Sequence, residues 1–373
     1  MEKKEWKITY FDFSKDDLDD LLSLFKEQYG SVDPSNPEYF KWYCLENPAG
    51  KALIPIVIDP ETTKIIGEWW GIPTQTKYPN GEMLGSVGMN VVIARKYRGM
   101  KVIDVLAVPL LEQNTERGIN FSINFPNKRM AKVFKLVPSL KDWFSVGMLG
   151  MYALPLDPAI LDNTRMSKNP IILSVVKIIA SLIFPILFFH RKTNKVGKNI
   201  QILEISTFDE KFDQFWKKVK DKYPFWFKRD ASFLTWRYKE NPLRKYAALV
   251  AMENDEMIGY IILRTGMIKK FSLGAIVDLV VEPTARGDLA AQKLVHEAIL
   301  RFRKEKLSVS VFINRPGTQE EKAIKHQGYR LLPGALSPEQ VEMYIRFFPN
   351  AIPIDLMKDI NNWYITLGDF DIV

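Results

Sequence analysis

The stretch "IARKYRGMKVI", Ile93–Ile103, joins an apolar run, "LGSVGMNVV", to an amphipathic one, "DVLAVPLLEQ". A strand, a tight basic turn and a helix in that order form an anion site. The first N–H groups of a helix have no acceptor within it, and the helix dipole places partial positive charge there. Arg98 and Gly99 make the turn, and Lys101 stands where a second glycine would let a phosphate approach the backbone. The residues alone leave two readings open: a loop that holds phosphate, or a solvated βα connection with a positive surface.

Outward from the turn, the chain repeats itself. "EYFKWYCLENPAGKALIPIVIDPETTKIIGEWWGI" and "ASFLTWRYKENPLRKYAALVAMENDEMIGYIIL" share an aromatic block, Asn-Pro, an apolar strand, an acidic turn and Ile-Gly. Phe40, Trp42, Tyr43, Asn47, Pro48 and Gly67 correspond to Phe233, Trp236, Tyr238, Asn241, Pro242 and Gly259. Each block is followed by a strand and an Arg-Gly turn, Arg98-Gly99 first and Arg286-Gly287 second. Such self-similarity marks a duplicated unit. The hydrophobic pattern predicts the order β-α-α-β-β-β-α-β-α-β in each unit, a mixed α/β sheet. "DWFSVGMLGMYAL" is expected to close the first unit and "WYITLGDFDIV" the second. The expected boundaries are residues 1–160 and 199–373, with a linker over 161–198.

Composition agrees with two domains. The 373 residues exceed one ordinary core, and 47% hydrophobic content supports burial. The single cysteine, Cys44, excludes an internal disulfide and suits a reducing compartment. Three histidines without ligand spacing leave no metal site to expect. The net charge of +8 favours an anionic partner. The cations are dispersed and no zinc-finger, RNP or helix-turn-helix signature appears, so no nucleic acid is expected. The N-terminus lacks a signal-peptide core, which predicts a cytoplasmic protein.

In the linker, Ile171–Phe189 carries one charge, Lys177, and contains Pro185. Ser174, Lys177 and Ser181 recur at helical spacing, and basic residues flank both ends. The pattern fits a helix in a lipid interface, at the inner membrane face, or one buried against its own domains.

The element order and the turns resemble the GNAT acyltransferase superfamily, whose turn reads (Gln/Arg)-x-x-Gly-x-(Gly/Ala). "YRG", "FPN" (Phe125–Asn127), "WRYxxNP" and "WYITLGDFD" look like tandem GNAT proteins associated with cell-envelope polysaccharide. Related tandem architectures include N-myristoyltransferase and the Fem-type aminoacyl transferases. The resemblance implies two tandem GNAT-like domains and acetyl-CoA or a longer acyl-CoA as donor. It places the diphosphate on Arg98, Gly99, Met100, Lys101 and Val102, the pantetheine beside Ile93 and Ala94, and Asn127 nearby. The second turn, "RGDLAA", carries Asp288, which repels phosphate, so the first is preferred.

Amine attack on a thioester needs a base, a positioned acceptor and a proton for the thiolate. The tyrosine that superfamily members use as acid falls near Val133 or Phe134 and near Ile324, none a tyrosine. Strand carboxylates remain as bases: Glu68, Glu282 and above all Asp278, flanked by Val277 and Leu279, where burial raises a pKa. Trp42 and Trp236 read as core, and one of Trp69 and Trp70 is expected to face the cleft. Cys44 lacks a nearby histidine and is not expected to act as nucleophile.

The expectation is therefore an N-acyltransferase acting on an amine, an amino sugar or a lipid-linked envelope precursor at the membrane surface. The alternatives are a long-chain N-acyl amino acid synthase and a degenerate, non-catalytic GNAT pair serving as a scaffold.

Overall fold

Short polar residues start the first two helices. Asp17 accepts from the Asp19 amide at the head of α1 (Leu18–Tyr29), and Asn36 caps α2 (Pro37–Cys44) with proline in its first turn. Their apolar faces, carrying Leu21, Phe25, Phe40 and Cys44, are buried. The computed structural model describes residues 6–157, 199–268, 271–333, 341–348 and 353–370. The predicted linker helix and its lipid contact lie outside these residues. Among the described residues no helix is long and apolar enough to cross a membrane.

The strands of the first half are β1 (Lys7–Tyr10), β2 (Pro55–Ile58), β3 (Ile65–Tyr78), β4 (Gly81–Ile93), β5 (Phe121–Asn124) and β6 (Phe144–Pro155). Helices α3 (Val102–Glu116) and α4 (Lys128–Leu136) fall between β4 and β6. The second half supplies β7 (Gln201–Ile205), α5 (Glu210–Val219), β8 (Phe225–Phe227), β9 (Ala247–Glu253), β10 (Glu256–Ile268) and β11 (Phe271–Val281). There follow α6 (Ala285–Lys304), β12 (Val309–Asn314), α7 (Gln319–His326), β13 (Arg330–Leu331), β14 (Val341–Phe347) and β15 (Trp363–Tyr364).

These strands form one mixed sheet in the order β1-β2-β3-β4-β5-β14-β6-β12-β11-β10-β9-β7. Most neighbours are antiparallel, but β4 pairs β5, and β11 pairs β12, in parallel. Two features depart from the sequence reading. β6 does not merely close the first half: Phe144–Leu149 pair with β14, and Gly150–Pro155 pair with β12. Of the terminal "WYITLGDFDIV", the described residues Trp363–Phe370 make the two-residue β15, paired with β8, and a short turn of helix. Its Thr366 and Asp369 bond each other locally, which ends strand pairing there.

Helices α1 and α2 cover one face of the first half around Trp70; α3 and α4 cover the other around Trp69. Both indoles are fully buried, one on each face of β3. α6 seals the second half with Leu294, Ala298, Ile299 and Phe302. Gly274 is required beneath Phe302, because a Cβ there would lie 2.6 Å from the ring.

Candidate functional site

The parallel pair β4–β5 is short. It runs from Ser86↔Ser122 to Gly88↔Asn124, after which β5 ends and β4 continues to Ile93. The strands therefore part in a fork. A bulge lies just beyond the last pair, where the β3–β4 register shifts between Glu68 and Trp70 and Asn90 takes φ of 52°. At the fork, Asn124 Nδ2 donates to the Gly88 carbonyl at 2.6 Å. Trp69 Nε1 points at Gly88, where a Cβ would come within 2.9 Å, and is buried without a hydrogen-bond partner. Asn90 Nδ2 is buried and unpartnered as well. A buried polar group left unbonded costs about 1–3 kcal/mol.

Past β4 comes the turn. Gly99 and Lys101 both adopt positive φ, 80° and 62°, and α3 begins at Val102 with no side chain capping it. The Asp104 and Val105 amides bond the Lys101 carbonyl, and no side chain caps the earlier ones. Arg98 is exposed and folds back on the chain: its Nε donates to the Ile93 carbonyl at 3.1 Å and its Nη2 to Gln28 Oε1 at 3.0 Å. It braces the turn. Lys101 and Met100 are exposed, and the Ala94 amide bonds the Ile66 carbonyl. Val102 packs over Gly67. Asn127 spends its side-chain oxygen on the Arg129 and Met130 amides, capping α4.

The counterpart turn is filled. Thr284 Oγ1 accepts from the Gly287 amide at 3.2 Å, capping α6. The buried Glu282 carboxylate takes Arg286, and Lys218 Nζ at 2.6 Å. Burial works to raise its pKa, but hydrogen bonds from Arg286, Lys218 and Thr284 outweigh that and hold it below the usual range. Gly287 lies so close that a Cβ would sit 2.0 Å from the Glu282 carbonyl. Beyond the β11–β12 pair, Tyr364 donates its hydroxyl to the Leu279 carbonyl, and Arg315 Nε bonds the Trp363 carbonyl at 2.8 Å. The chain's own carboxylate and C-terminal segment thus occupy the second turn and fork.

The two carboxylates singled out in the sequence are far from each other in the sheet. Glu68, on β3, is buried; its Oε2 accepts from Trp70 Nε1 at 2.7 Å and its Oε1 has no partner. Burial pushes its pKa well above the usual range, against the Trp70 bond. Asp278, on β11, is equally buried but engaged by Arg229 Nε at 2.9 Å, Thr366 Oγ1 at 3.2 Å and Tyr260 at 3.3 Å. Arg229 also grips Asp369 with Nη2, at 2.8 and 2.9 Å, and lies over Trp226 and Tyr364. Cys44 is buried and its thiol is pushed up by that burial.

Sequence reasoning missed a cavity of about 240 Å³ between the halves, on the α2 face of the sheet. Tyr43, Trp236 and Phe233 give it aromatic walls; Glu82, Lys228 and Asp230 line it with both charges. Lys228 Nζ lies 3.1 Å from Asp230 and 3.4 Å from Glu82. Val87, another wall residue, directly precedes Gly88 at the fork. Neither Glu68 nor Asp278 lines it. The repeated "NP" block was the available signal, since Asn47 and Pro48 form part of the wall.

Residues 208–326 match the acetyltransferase (GNAT) family. The fold is that of the GNAT acyltransferases. A GCN5-related N-acetyltransferase from Anabaena variabilis superposes with a TM-score of 0.59 at 13% identity, over 91% of this chain and 73% of that one. A probable N-acyltransferase from Enterococcus faecalis gives 0.60 at 10% identity, over 92% and 73%. Saccharomyces cerevisiae N-myristoyltransferase with bound myristoyl-CoA gives 0.60 at 12% identity, over 91% and 82%. No curated protein matches the sequence. The GNAT family match falls on the half whose turn is filled.

Proposed function

We propose that the protein is an acyl-CoA-dependent N-acyltransferase built from two GNAT-like units, residues 1–160 and 199–373, of which only the first binds the thioester. The contrast between the turns carries this reading: α3 starts uncapped beside an open fork, whereas α6 starts against Thr284 and Glu282. The diphosphate rests on the amides around Gly99, Lys101 and Val102, with Lys101 as added cation. The pantetheine follows β4 beside Ile93 and Ala94. Trp69 Nε1 and Asn90 Nδ2 are the donors that await an acyl carbonyl, which supplies the partners they lack.

The acceptor amine enters the cavity between the halves. Asp230 and Glu82 attract it as an ammonium, and one of them takes its proton before attack. The nitrogen bonds to the carbonyl carbon and the C–S bond breaks; of the two protons the nitrogen sheds, one leaves on the coenzyme as its thiol and the other passes to solvent. Aromatic walls and mixed charge suit a small polar amine, an amino sugar above all, and a lipid-linked form of it if 171–189 lies on a membrane. Buried Glu68 and ion-paired Asp278 hold structural places in this scheme.

Calorimetry with acetyl-CoA and a long-chain acyl-CoA, followed by thiol release with glucosamine as acceptor, tests the reading. Binding of either thioester with acceptor-dependent release supports it. Heat with neither points to the scaffold alternative, which the filled second half favours.

A further inference from the structure

From the first-half surface we infer that α4 and the turn before α3 dock on an anionic lipid bilayer. Lys96, Lys101, Lys128, Arg129, Lys132 and Lys135 are all exposed there. Among the described residues none of the six has a carboxylate partner, whereas Lys218, Arg286 and Arg301 elsewhere on the surface are ion-paired. α4 contains no acid at all. The two elements share one face of the sheet, because Ile103 of α3 and Met130 and Val133 of α4 pack on the same cluster around Phe134.

One cofactor does not account for this surface. α4 is nine residues long, which spans about 13 Å, and its cations continue to the end remote from the Asn127 cap. At that end Leu136 is 80% exposed, and Met100 at the turn is 40% exposed. Cations surrounding exposed apolar side chains fit a bilayer, where headgroups meet the charge and the acyl boundary receives Leu136 and Met100. A nucleic acid would meet the charge but leave those side chains in water. The sequence supplies a second lipid-compatible stretch at Ile171–Phe189 with basic flanks. This surface does not depend on which thioester or amine the protein uses, but it would set the mouth of the fork against the membrane.

The test is co-sedimentation of the full chain with vesicles of phosphatidylcholine alone or with 30% phosphatidylglycerol, set beside K128Q/K132Q/K135Q. The native chain is expected to bind the anionic vesicles and release them in high salt. The triple variant should bind about a hundredfold more weakly, the factor that three cations near a charged surface carry. Equal binding to neutral vesicles, unchanged binding by the variant, or tighter binding to a short DNA duplex would overturn the inference. Calorimetry with coenzyme A on the same variant separates the cofactor: loss of coenzyme binding without any vesicle binding by the native chain also overturns it.

Discussion

Trp42 and Trp236, 194 residues apart in the chain, each donate the indole N–H to the other's carbonyl. The bonds are 2.8 and 3.0 Å long, and the rings stack 5.2 Å apart at 24°. Both are buried, and Arg237 lies over Trp42. The pair ties the halves through a reciprocal contact. Trp236→Ala should cost about 3–5 kcal/mol of stability, as large aromatic truncations do. Each tryptophan-to-phenylalanine change should cost about 1 kcal/mol for its hydrogen bond. A urea-unfolding double-mutant cycle measures the coupling, and strict additivity would show the stack to be incidental.

The two turns predict opposite responses to charge. Lys101→Glu should weaken acyl-CoA binding by about tenfold or more, the loss of one charge-assisted contact. Thr284→Ala should leave that affinity alone while lowering stability by about 1 kcal/mol through loss of the α6 cap. Titration calorimetry and thermal melts of both variants report the two effects separately.

Trp69→Phe removes an N–H that has no partner in the fold. Stability should therefore change little through hydrogen bonding, although the smaller ring loosens the stack on Trp143 at 6.2 Å. Turnover should fall about 10- to 100-fold if this donor meets the developing oxyanion. A loss of thioester affinity equal to the loss of coenzyme affinity would assign Trp69 to packing instead.

Glu68 gives a pH signature. Its folded pKa lies well above the ordinary value, with burial as the cause, while the unfolded chain ionises near about 4.3. The unfolded state then releases its proton first as pH rises, so stability is greatest below that value and declines through the window above it. Glu68→Gln keeps an acceptor for Trp70 Nε1 and removes the titration. The variant should be flatter across pH 5–8 and more stable at neutral pH, with activity retained. A large loss of turnover in a stable Glu68→Gln protein would restore Glu68 as the base.

Asp278→Asn leaves Arg229 facing Asp369 with one charge fewer. Removing one partner of a buried pair typically costs about 3–5 kcal/mol, and the loss should appear in denaturant midpoints. Residual folded protein should keep its KM for acyl-CoA, since Asp278 lies on β11, away from the β4–β5 fork.

The local elements were legible because they obey short-range rules. The apolar run "LGSVGMNVV" announced β4, and "RGMKVI" announced a strand-to-helix turn. Pairing between distant strands was not legible. No periodicity in "DWFSVGMLGMYAL" says that its first part meets β14 and its second meets β12. The same blindness affected the site. Flanking valine and leucine told that Asp278 is buried, but Arg229, 49 residues earlier in the chain, decides its chemistry. Arg98 reads from sequence as a phosphate ligand, and its bonds to Ile93 and Gln28 are contacts that spacing does not encode. The cavity gathers Glu82 and Lys228 from opposite halves, a meeting that spacing along one chain does not encode.

β6 serves both halves with a single backbone: Phe144–Leu149 belong to one set of neighbours and Gly150–Pro155 to another. A gene cut anywhere in the connector would yield a leading fragment whose last strand exposes unpaired amides and carbonyls, and a trailing fragment with a gap beside β12. Such raw edges recruit other chains. Neither piece is therefore expected to be soluble when expressed separately, and mixing them during refolding, rather than after it, is the route by which activity could be reconstituted.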